Sequence, residues 1–118
     1  MAGTSRASAG ALAEAMAADF LSSRGLAILE RNWRRRCGEL DIIARDGNTL
    51  VFVEVRLRKR ADFGGAAESI TVAKRARMIA AALHYLAGIA GPPPCRFDAI
   101  LLDALDPSRI DWRRNVFE

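Results

Sequence analysis

Three acidic residues stand at positions where two adjacent segments show the alternation of β-strands: Glu39, Asp41 and Glu54. If the two strands form a hairpin, the carboxylates lie on one side of it, where they repel one another and raise each other's pKa. A divalent cation offsets this repulsion, because hard cations such as Mg²⁺ or Mn²⁺ prefer carboxylate oxygens and also bind phosphate oxygens. Arg56, two residues after Glu54, is placed to meet developing negative charge. The pattern therefore indicates a site where a metal ion and a phosphate meet.

The same residue types are also typical of a salt-bridged surface. Glu39 would then pair with Arg56. Asp41 would pair with one of three nearby arginines: Arg34, Arg36 or Arg45. Acidic and basic side chains on an exposed sheet face are common, so the spacing alone leaves both interpretations open.

The hairpin that must position these carboxylates is the clearest element of the sequence. Residues 38–45, GELDIIAR, and residues 49–56, TLVFVEVR, flank a turn at Gly47-Asn48. The predicted apolar face then pairs Ala44 with Val51, Ile42 with Val53, and Leu40 with Val55. The opposite face pairs Asp41 with Glu54, and Glu39 with Arg56. A one-residue slip would destroy both matches, because strand side chains alternate between faces.

Two helices and further strands surround this hairpin in the predicted order α-β-β-β-α-β. The first helix covers residues 9–24 and ends at Gly25, and a first strand covers residues 26–35. The second helix has Thr71, or alternatively Ser69, as its N-cap. Its expected core stripe has helical spacing: Val72, Ala76, Ile79, Leu83 and Leu86. Residues 96–102 form an apolar strand, and the C-terminal piece either adds a short strand or docks on the core.

Length and composition predict one domain over residues 9–118, after a flexible leader at residues 1–8. No apolar run reaches the roughly 18 residues that a membrane span needs, and the N-terminal segment lacks the apolar region of a secretory signal. The two cysteines, Cys37 and Cys95, form no CxxC motif and are expected to be reduced thiols, with Cys95 buried. Together these features predict a cytoplasmic protein without a membrane anchor.

The net charge of +4 is modest, but the cations are concentrated in the sequence. Most of the 18 Lys and Arg residues fall in three clusters, at residues 31–36, 56–60 and 74–77. Arginine outnumbers lysine 16 to 2, and its guanidinium binds phosphate through two parallel hydrogen bonds. The clusters indicate binding of a polyanion such as nucleic acid, and solvated protein faces are the alternative.

Beyond these patterns, the chain resembles the YraN-type family of small bacterial proteins. The resemblance spans residues 10–103 and rests on an ordered set of motifs: ERNWR, GELDIIARDGNTLVFVEVRLR, FGGAAESITVAKRARMIAAALHYLA and CRFDAILLD. That family is similar to archaeal Holliday-junction resolvases within the PD-(D/E)xK nuclease superfamily. The resemblance implies an α/β, restriction-endonuclease-like fold in which helices flank a mixed central sheet.

The resemblance also implies roles for individual residues. Asp41 matches the metal-binding Asp of the superfamily, and Glu54 matches the acidic residue of its (D/E)xK element. Glu14, on the first helix, matches a Glu that resolvase-like relatives bring to the metal, and Glu39 would be an auxiliary ligand. The superfamily has Lys where this chain has Arg56, which stays charged and cannot act as a base.

The implied function is phosphodiester hydrolysis on structured or branched DNA, with Mg²⁺ or Mn²⁺ as cofactor and with Glu14, Asp41, Glu54 and Arg56 as catalytic residues. The DNA backbone would be bound, without reading of bases, by Arg31, Arg34, Arg58, Lys59, Arg60, Gly64, Gly65 and Lys74. Resolvase-like relatives act as dimers, so a homodimer is a further expectation. Two alternatives remain open: a nucleic-acid-binding module that hydrolyses weakly or not at all, and a protein-interaction subunit.

Overall fold

The computed structural model describes residues 8–57 and 70–117. Within these residues lie two α-helices, α1 (Ala9–Ser23) and α2 (Val72–Leu86). The strands are β1 (Ala27–Arg35), β2 (Gly38–Asp46), β3 (Thr49–Leu57), β4 (Cys95–Leu102) and β5 (Ile110–Arg113). A 3₁₀ turn, Pro107–Arg109, precedes β5.

Each helix begins at a hydroxyl side chain that caps its free backbone N–H groups. Ser8 Oγ accepts a hydrogen bond from the Ala11 N–H at 3.0 Å, and Thr71 Oγ1 accepts one from the Lys74 N–H at 3.1 Å. Thr71 is therefore the N-cap of α2. Ser8, which the sequence assigned to the leader, is part of the α1 cap, and residues 1–7 lie outside the described residues.

The strands form one mixed sheet in the order β1-β2-β3-β4-β5. Neighbouring strands are antiparallel except β3 and β4, which are parallel and are separated in sequence by α2. One face carries the α1-side cluster of buried side chains, which includes Ala17, Leu21, Ile42, Ala44, Val51 and Val53. The other face carries the α2-side cluster, which includes Trp33, Leu40, Ile43, Phe52, Met78 and Ala82. The predicted α/β class and element order are confirmed, with β5 added at the end, and the architecture is consistent with a nuclease-like fold.

The predicted hairpin register is confirmed for the half of β2 and β3 that lies nearest the turn. The ladder pairs Asp46 with Thr49 and continues as far as Ile42 with Val53. Gly47 in the turn has a φ of 61°, a left-handed conformation that glycine adopts without the steric cost of a side chain.

The other half of the predicted register is wrong, because the ladder ends at the Ile42–Val53 pair. Leu40 packs in the α2-side cluster, whereas Val55 packs against the α1-side cluster. The physical reason is that the two strands separate at Asp41, whose carboxylate accepts the Val55 N–H. A continuous ladder would have paired that N–H with the backbone of β2.

The buried face of α2 also differs from the predicted stripe. Val72 and Leu83 are 84% and 62% exposed, whereas Met78, Ala81 and Ala82 are buried. Relative to the prediction, the helix is turned by one residue position, or about 100°.

Close packing against β2 explains this orientation of α2. A Cβ atom added to Gly38 would lie 2.2 Å from the carbonyl oxygen of Arg77, so only glycine permits the contact. The small side chains of Ala81 and Ala82 likewise let the helix approach the sheet. The same orientation brings Lys74 to the end of the sheet at which β2 and β3 separate.

A buried carboxylate joins β4 to the C-terminal segment. Asp98 is fully buried, and its two oxygens accept hydrogen bonds from Arg96 Nε, from Trp112 Nε1 at 2.9 Å and from the Asn115 N–H at 3.0 Å. Arg96 also pairs with Asp46 at 3.1 Å. Asp98 is thus saturated with donors.

The prediction that Cys95 is buried is wrong, since Cys37 and Cys95 are both exposed thiols. Cys95 opens β4 at the rim of the sheet, directly after Pro94. Among the described residues, the two helices are too short or too polar to cross a membrane.

Candidate functional site

The candidate site lies where β2 and β3 separate, and Asp41 stands in the gap between the two strands. Its Oδ2 atom accepts a hydrogen bond from the Val55 N–H at 2.8 Å. Hydrogen bonds from backbone N–H groups to carboxylates are among the stronger ones in proteins. The hydrogen bond therefore fixes the Asp41 carboxylate relative to β3.

Glu54 reaches the same gap from β3 and is 2% exposed. Burial raises its pKa from 4.5 to about 7, and the charge of Asp41 acts in the same direction, while Lys74 and Arg56 oppose both. Oε2 lies 3.4 Å from Lys74 Nζ and 3.4 Å from Arg56 Nη1. Oε1 is buried and has no hydrogen-bond partner among the described residues. One oxygen of this carboxylate is thus neutralised, and the other lacks a donor.

Glu14 joins the group from α1, where it is half-buried. Its pKa is raised by desolvation and by Asp41, and Arg31 and Arg34 act in the opposite direction. Asp41 is close enough to Glu14 and to Glu54 to raise the pKa of each. The three carboxyl groups therefore come from three different elements and perturb one another. We call Glu14, Asp41 and Glu54 the acidic cluster.

The unpartnered Glu54 Oε1 is evidence on whether the acidic cluster could hold a divalent cation. A buried oxygen without a donor, beside two further carboxyl groups, is the kind of ligand that Mg²⁺ and Mn²⁺ prefer. In residues 8–57 and 70–117, no group of three or more His, Cys, Asp or Glu side chains stands arranged to hold a metal ion. The cluster therefore has the donor chemistry for a cation, and its side chains would have to close around the ion.

Lys74 contacts the acidic cluster, whereas the sequence analysis favoured phosphate binding for it over a place near the active site. Its Nζ atom lies 3.4 Å from Glu54 Oε2 and 3.8 Å from Glu39 Oε2. The contact depends on the orientation of α2, and the predicted stripe did not include Lys74 on the buried side. Helical spacing alone therefore could not have revealed it.

Glu39 lies outside the acidic cluster, and its ion pairs are with Arg34 at 3.7 Å and Lys74 at 3.8 Å. The pairing of Glu39 with Arg56 that the sequence suggested is wrong, since Arg56 contacts Glu54. The salt-bridge interpretation thus describes Glu39, although with different partners. It does not account for the buried Oε1 of Glu54.

Four of the predicted basic residues surround the acidic cluster. Arg56 and Lys74 contact Glu54, and Arg31 and Arg34 on β1 lie close enough to Glu14 to oppose the rise of its pKa. The remaining predicted phosphate-binding residues lie outside the described residues: Arg58, Lys59, Arg60, Gly64 and Gly65. The described part of the chain therefore combines a carboxylate centre with a positively charged rim.

Two features of the site were missed from the sequence. One is the Val55 N–H that holds Asp41, because a backbone donor leaves no trace in residue types. The other is Asn32, which has a φ of 54° in the middle of β1. Asn is depleted in strands and tolerates left-handed backbone, so its presence inside a predicted strand was the available signal.

Comparison with known proteins assigns the chain to a family. The sequence model of the Uncharacterised protein family UPF0102 matches residues 13–102. A UPF0102 protein of Nitrosomonas europaea is 52% identical over 109 residues, which cover 92% of each chain. A UPF0102 protein of Nitrosospira multiformis is 48% identical over 106 residues, covering 90% of this chain and 89% of its own length. The chain therefore belongs to the UPF0102 family, the YraN-type family that its motifs resemble.

Proposed function

We propose that this protein is a nuclease-like enzyme that hydrolyses phosphodiester bonds in structured or branched DNA with Mg²⁺ or Mn²⁺. The observation that carries the proposal is the state of Glu54, a buried carboxylate with a pKa raised to about 7. One of its oxygens has no hydrogen-bond partner among the described residues. Burial of such a group costs free energy unless a cation or a proton satisfies it. A metal ion held by Glu14, Asp41 and Glu54 would meet that requirement.

In this proposal the protein's own residues orient the metal ligands and stabilise charge. A bound Mg²⁺ or Mn²⁺ supplies Lewis-acid polarisation of the phosphate and lowers the pKa of a bound water. Asp41 is oriented by the Val55 N–H, and Glu54 by the cations that flank its Oε2. Arg56 stabilises negative charge on the phosphate without accepting a proton. Lys74 supplies ammonium protons that can orient the attacking water.

Positive charge around the acidic cluster favours nucleic acid as the substrate. Arg31 and Arg34 lie beside Glu14, and arginine binds phosphate oxygens in a bidentate manner. Phosphate contacts fix the position of DNA without reading its bases, so selectivity would come from DNA shape. Binding of this kind weakens steeply as the salt concentration rises.

Cleavage assays on flapped and four-way branched DNA test the proposal. Cleavage is expected with Mg²⁺ or Mn²⁺ and not with excess chelator, and Glu54→Gln should slow it about 100-fold or more, as removal of a group that stabilises transition-state charge does. Asp19→Asn, an exposed acid on the same helix as Glu14, is the matched control and should cleave normally. Cleavage that survives Glu54→Gln in pure protein contradicts the assignment.

A second candidate function is binding of nucleic acid with little or no hydrolysis. It is favoured by Arg56 at the position where the superfamily has Lys, and by the two cations that already neutralise Glu54 Oε2. Salt-dependent DNA binding without cleavage of any substrate would support it, and an Arg56→Lys variant that gains cleavage would identify Arg56 as the limiting residue. Absence of DNA binding at low salt would leave a protein-interaction role.

A further inference from the structure

The side-chain alternation of β2 breaks at Asp41. In a regular strand, residues two apart lie on the same face of the sheet. Ile42 and Ala44 follow this rule and lie in the α1-side cluster, but Leu40 lies in the α2-side cluster with Ile43. The strand is therefore rotated between Leu40 and Ile42.

The side-chain alternation of the neighbouring strand β1 is interrupted at the same level of the sheet. Glu30 pairs with Ile43 of the α2-side cluster, and Arg31 pairs with Ile42 of the α1-side cluster, so these two residues alternate normally, since paired residues share a face of the sheet. Trp33 should then lie on the α1 side with Arg31, yet it belongs to the α2-side cluster. The break in β1 falls at Asn32.

Asn32 and Asp41 mark one shared irregularity of the two strands. The ladder pairs Arg31 with Ile42 and Trp33 with Leu40, and it does not include the Asn32–Asp41 pair that belongs between them. Asn32 has a φ of 54°, within the left-handed region that Asn tolerates better than most residues. Its Oδ1 accepts a hydrogen bond from Arg34 Nε at 3.0 Å.

This irregularity decides which way Asp41 points. Without it, Asp41 would follow Ile43 into the α2-side cluster, where Phe52 and Met78 are fully buried and apolar. With it, the carboxylate lies between β2 and β3, where the Val55 N–H can reach it.

We infer that Asn32 is a positioning residue, whose left-handed backbone turns β1 and β2 together so that the Asp41 carboxylate enters the acidic cluster. The inference rests on the proposed function only in its link to the metal, because the contact between Asp41 and Val55 can be measured in the protein alone. The backbone conformation of Asn32 carries this role, and its side chain is not required for it. Glycine at position 32 should therefore replace it.

The experiment compares Asn32→Ala, which disfavours a positive φ, with Asn32→Gly, which permits it. Asn115 is the matched control, since it has a φ of 57° and lies at the far end of the chain. The readouts are the hydrogen exchange and chemical shift of the Val55 amide by NMR, and the affinity for Mn²⁺ by calorimetry. Denaturant unfolding of each variant separates a change at the site from a general loss of stability.

Asn32→Ala should expose the Val55 amide to exchange and weaken Mn²⁺ binding about 10- to 100-fold, the usual effect of losing a group that orients a metal ligand. Asn32→Gly should match the wild type in both readouts, and Asn115→Ala should lower stability without changing either. The inference is overturned if Asn32→Ala keeps the Val55 protection of the wild type, or if folded Asn32→Gly loses it. If Asn32→Ala does not fold, loss of the Val55 protection in folded Asn32→Gly would still overturn the inference. Failure of the wild type to bind Mn²⁺ would count against the proposed function. The hydrogen exchange of the Val55 amide would still test the role of Asn32.

Discussion

Asp98 on β4 and Glu54 on β3 are buried carboxylates on adjacent strands, but they differ in how many of their oxygens have hydrogen-bond partners. Asp98 accepts hydrogen bonds from a guanidinium, an indole and a backbone N–H, and both of its oxygens are used. Glu54 has two cations at 3.4 Å from one oxygen, and its other oxygen has no partner among the described residues. The two residues are equally buried, at 0% and 2% exposure.

The difference between these carboxylates supports a structural role for Asp98 and the proposed functional role for Glu54. A buried charge that is fully satisfied by hydrogen bonds joins parts of the fold. A buried carboxylate left half satisfied, with a raised pKa, is the kind of group that clusters at functional sites. The predictions below test this contrast through stability, and they start from the largest expected effect.

Asp98→Ala should destabilise the protein by about 3–5 kcal/mol, because it removes the fully buried acceptor of three hydrogen-bond donors: Arg96 Nε, Trp112 Nε1 and the Asn115 N–H. Denaturant unfolding followed by circular dichroism measures the change. Asp111→Ala, at an exposed acid paired with Arg113, is the control and should change stability by about 0.5 kcal/mol or less. A loss of less than about 1 kcal/mol for Asp98→Ala would show that the saturated carboxylate does not hold the C-terminal segment.

Stability should fall as the pH rises from about 4.5 to about 7, by about 3 kcal/mol in total. In this window the native state keeps the proton of Glu54, whose pKa is raised to about 7, whereas the unfolded chain has already lost it. The native state then binds more protons than the unfolded state, so the free energy of unfolding decreases with pH. The raised pKa of Glu14 acts in the same direction.

Urea unfolding between pH 4.5 and 8 measures this slope, and Glu54→Gln is the variant that should remove most of it. The glutamine has no proton to lose, so its protein should be more stable than the wild type at pH 8. A wild-type stability that is flat or rises across the window would contradict the assigned state of Glu54. A slope that persists in Glu54→Gln would place its origin elsewhere.

Lys74→Met should cost about 1 kcal/mol at pH 8 and much less at pH 5, the smallest of these effects. At pH 8 the Glu54 carboxylate is ionised and loses one of its two cations, whereas at pH 5 it is protonated. Unfolding at the two pH values, with Arg77→Met as an exposed cation on the same helix, provides the comparison. Equal losses at both pH values would mean that Lys74 contributes packing rather than charge.

The parts of the fold that follow from local patterns could be predicted from the sequence. The hairpin register near the turn depends on alternation and on Gly47, and both are visible in the residues. The start of α2 at Thr71 depends on a hydroxyl at the cap, whereas Ser8, the cap of α1, was assigned to the leader. The proximity of Asp41 to Glu54 and Glu14 was expected from the family motif, while their metal-binding and catalytic roles stay predictions.

What failed depends on contacts between distant elements. The largest apolar side chains of α2 suggested a buried face, but the sheet accepts the small Ala81 and Ala82, which leaves Val72 and Leu83 exposed. The contact of Lys74 with Glu54 follows from that packing. Leu40 lies on the face of the sheet opposite to the predicted one because of the backbone conformation of Asn32 in the neighbouring strand. The spacing of apolar residues does not indicate that conformation.

The contact between Gly38 and the backbone of Arg77 has a consequence for how such a chain can change. It fixes the height of α2 on the sheet by direct packing, and the height of α2 decides where Lys74 lies relative to Glu54. The position of Lys74 is therefore constrained by a glycine 36 residues earlier in the chain, and a search for related proteins should look for Gly38 and Lys74 as a pair.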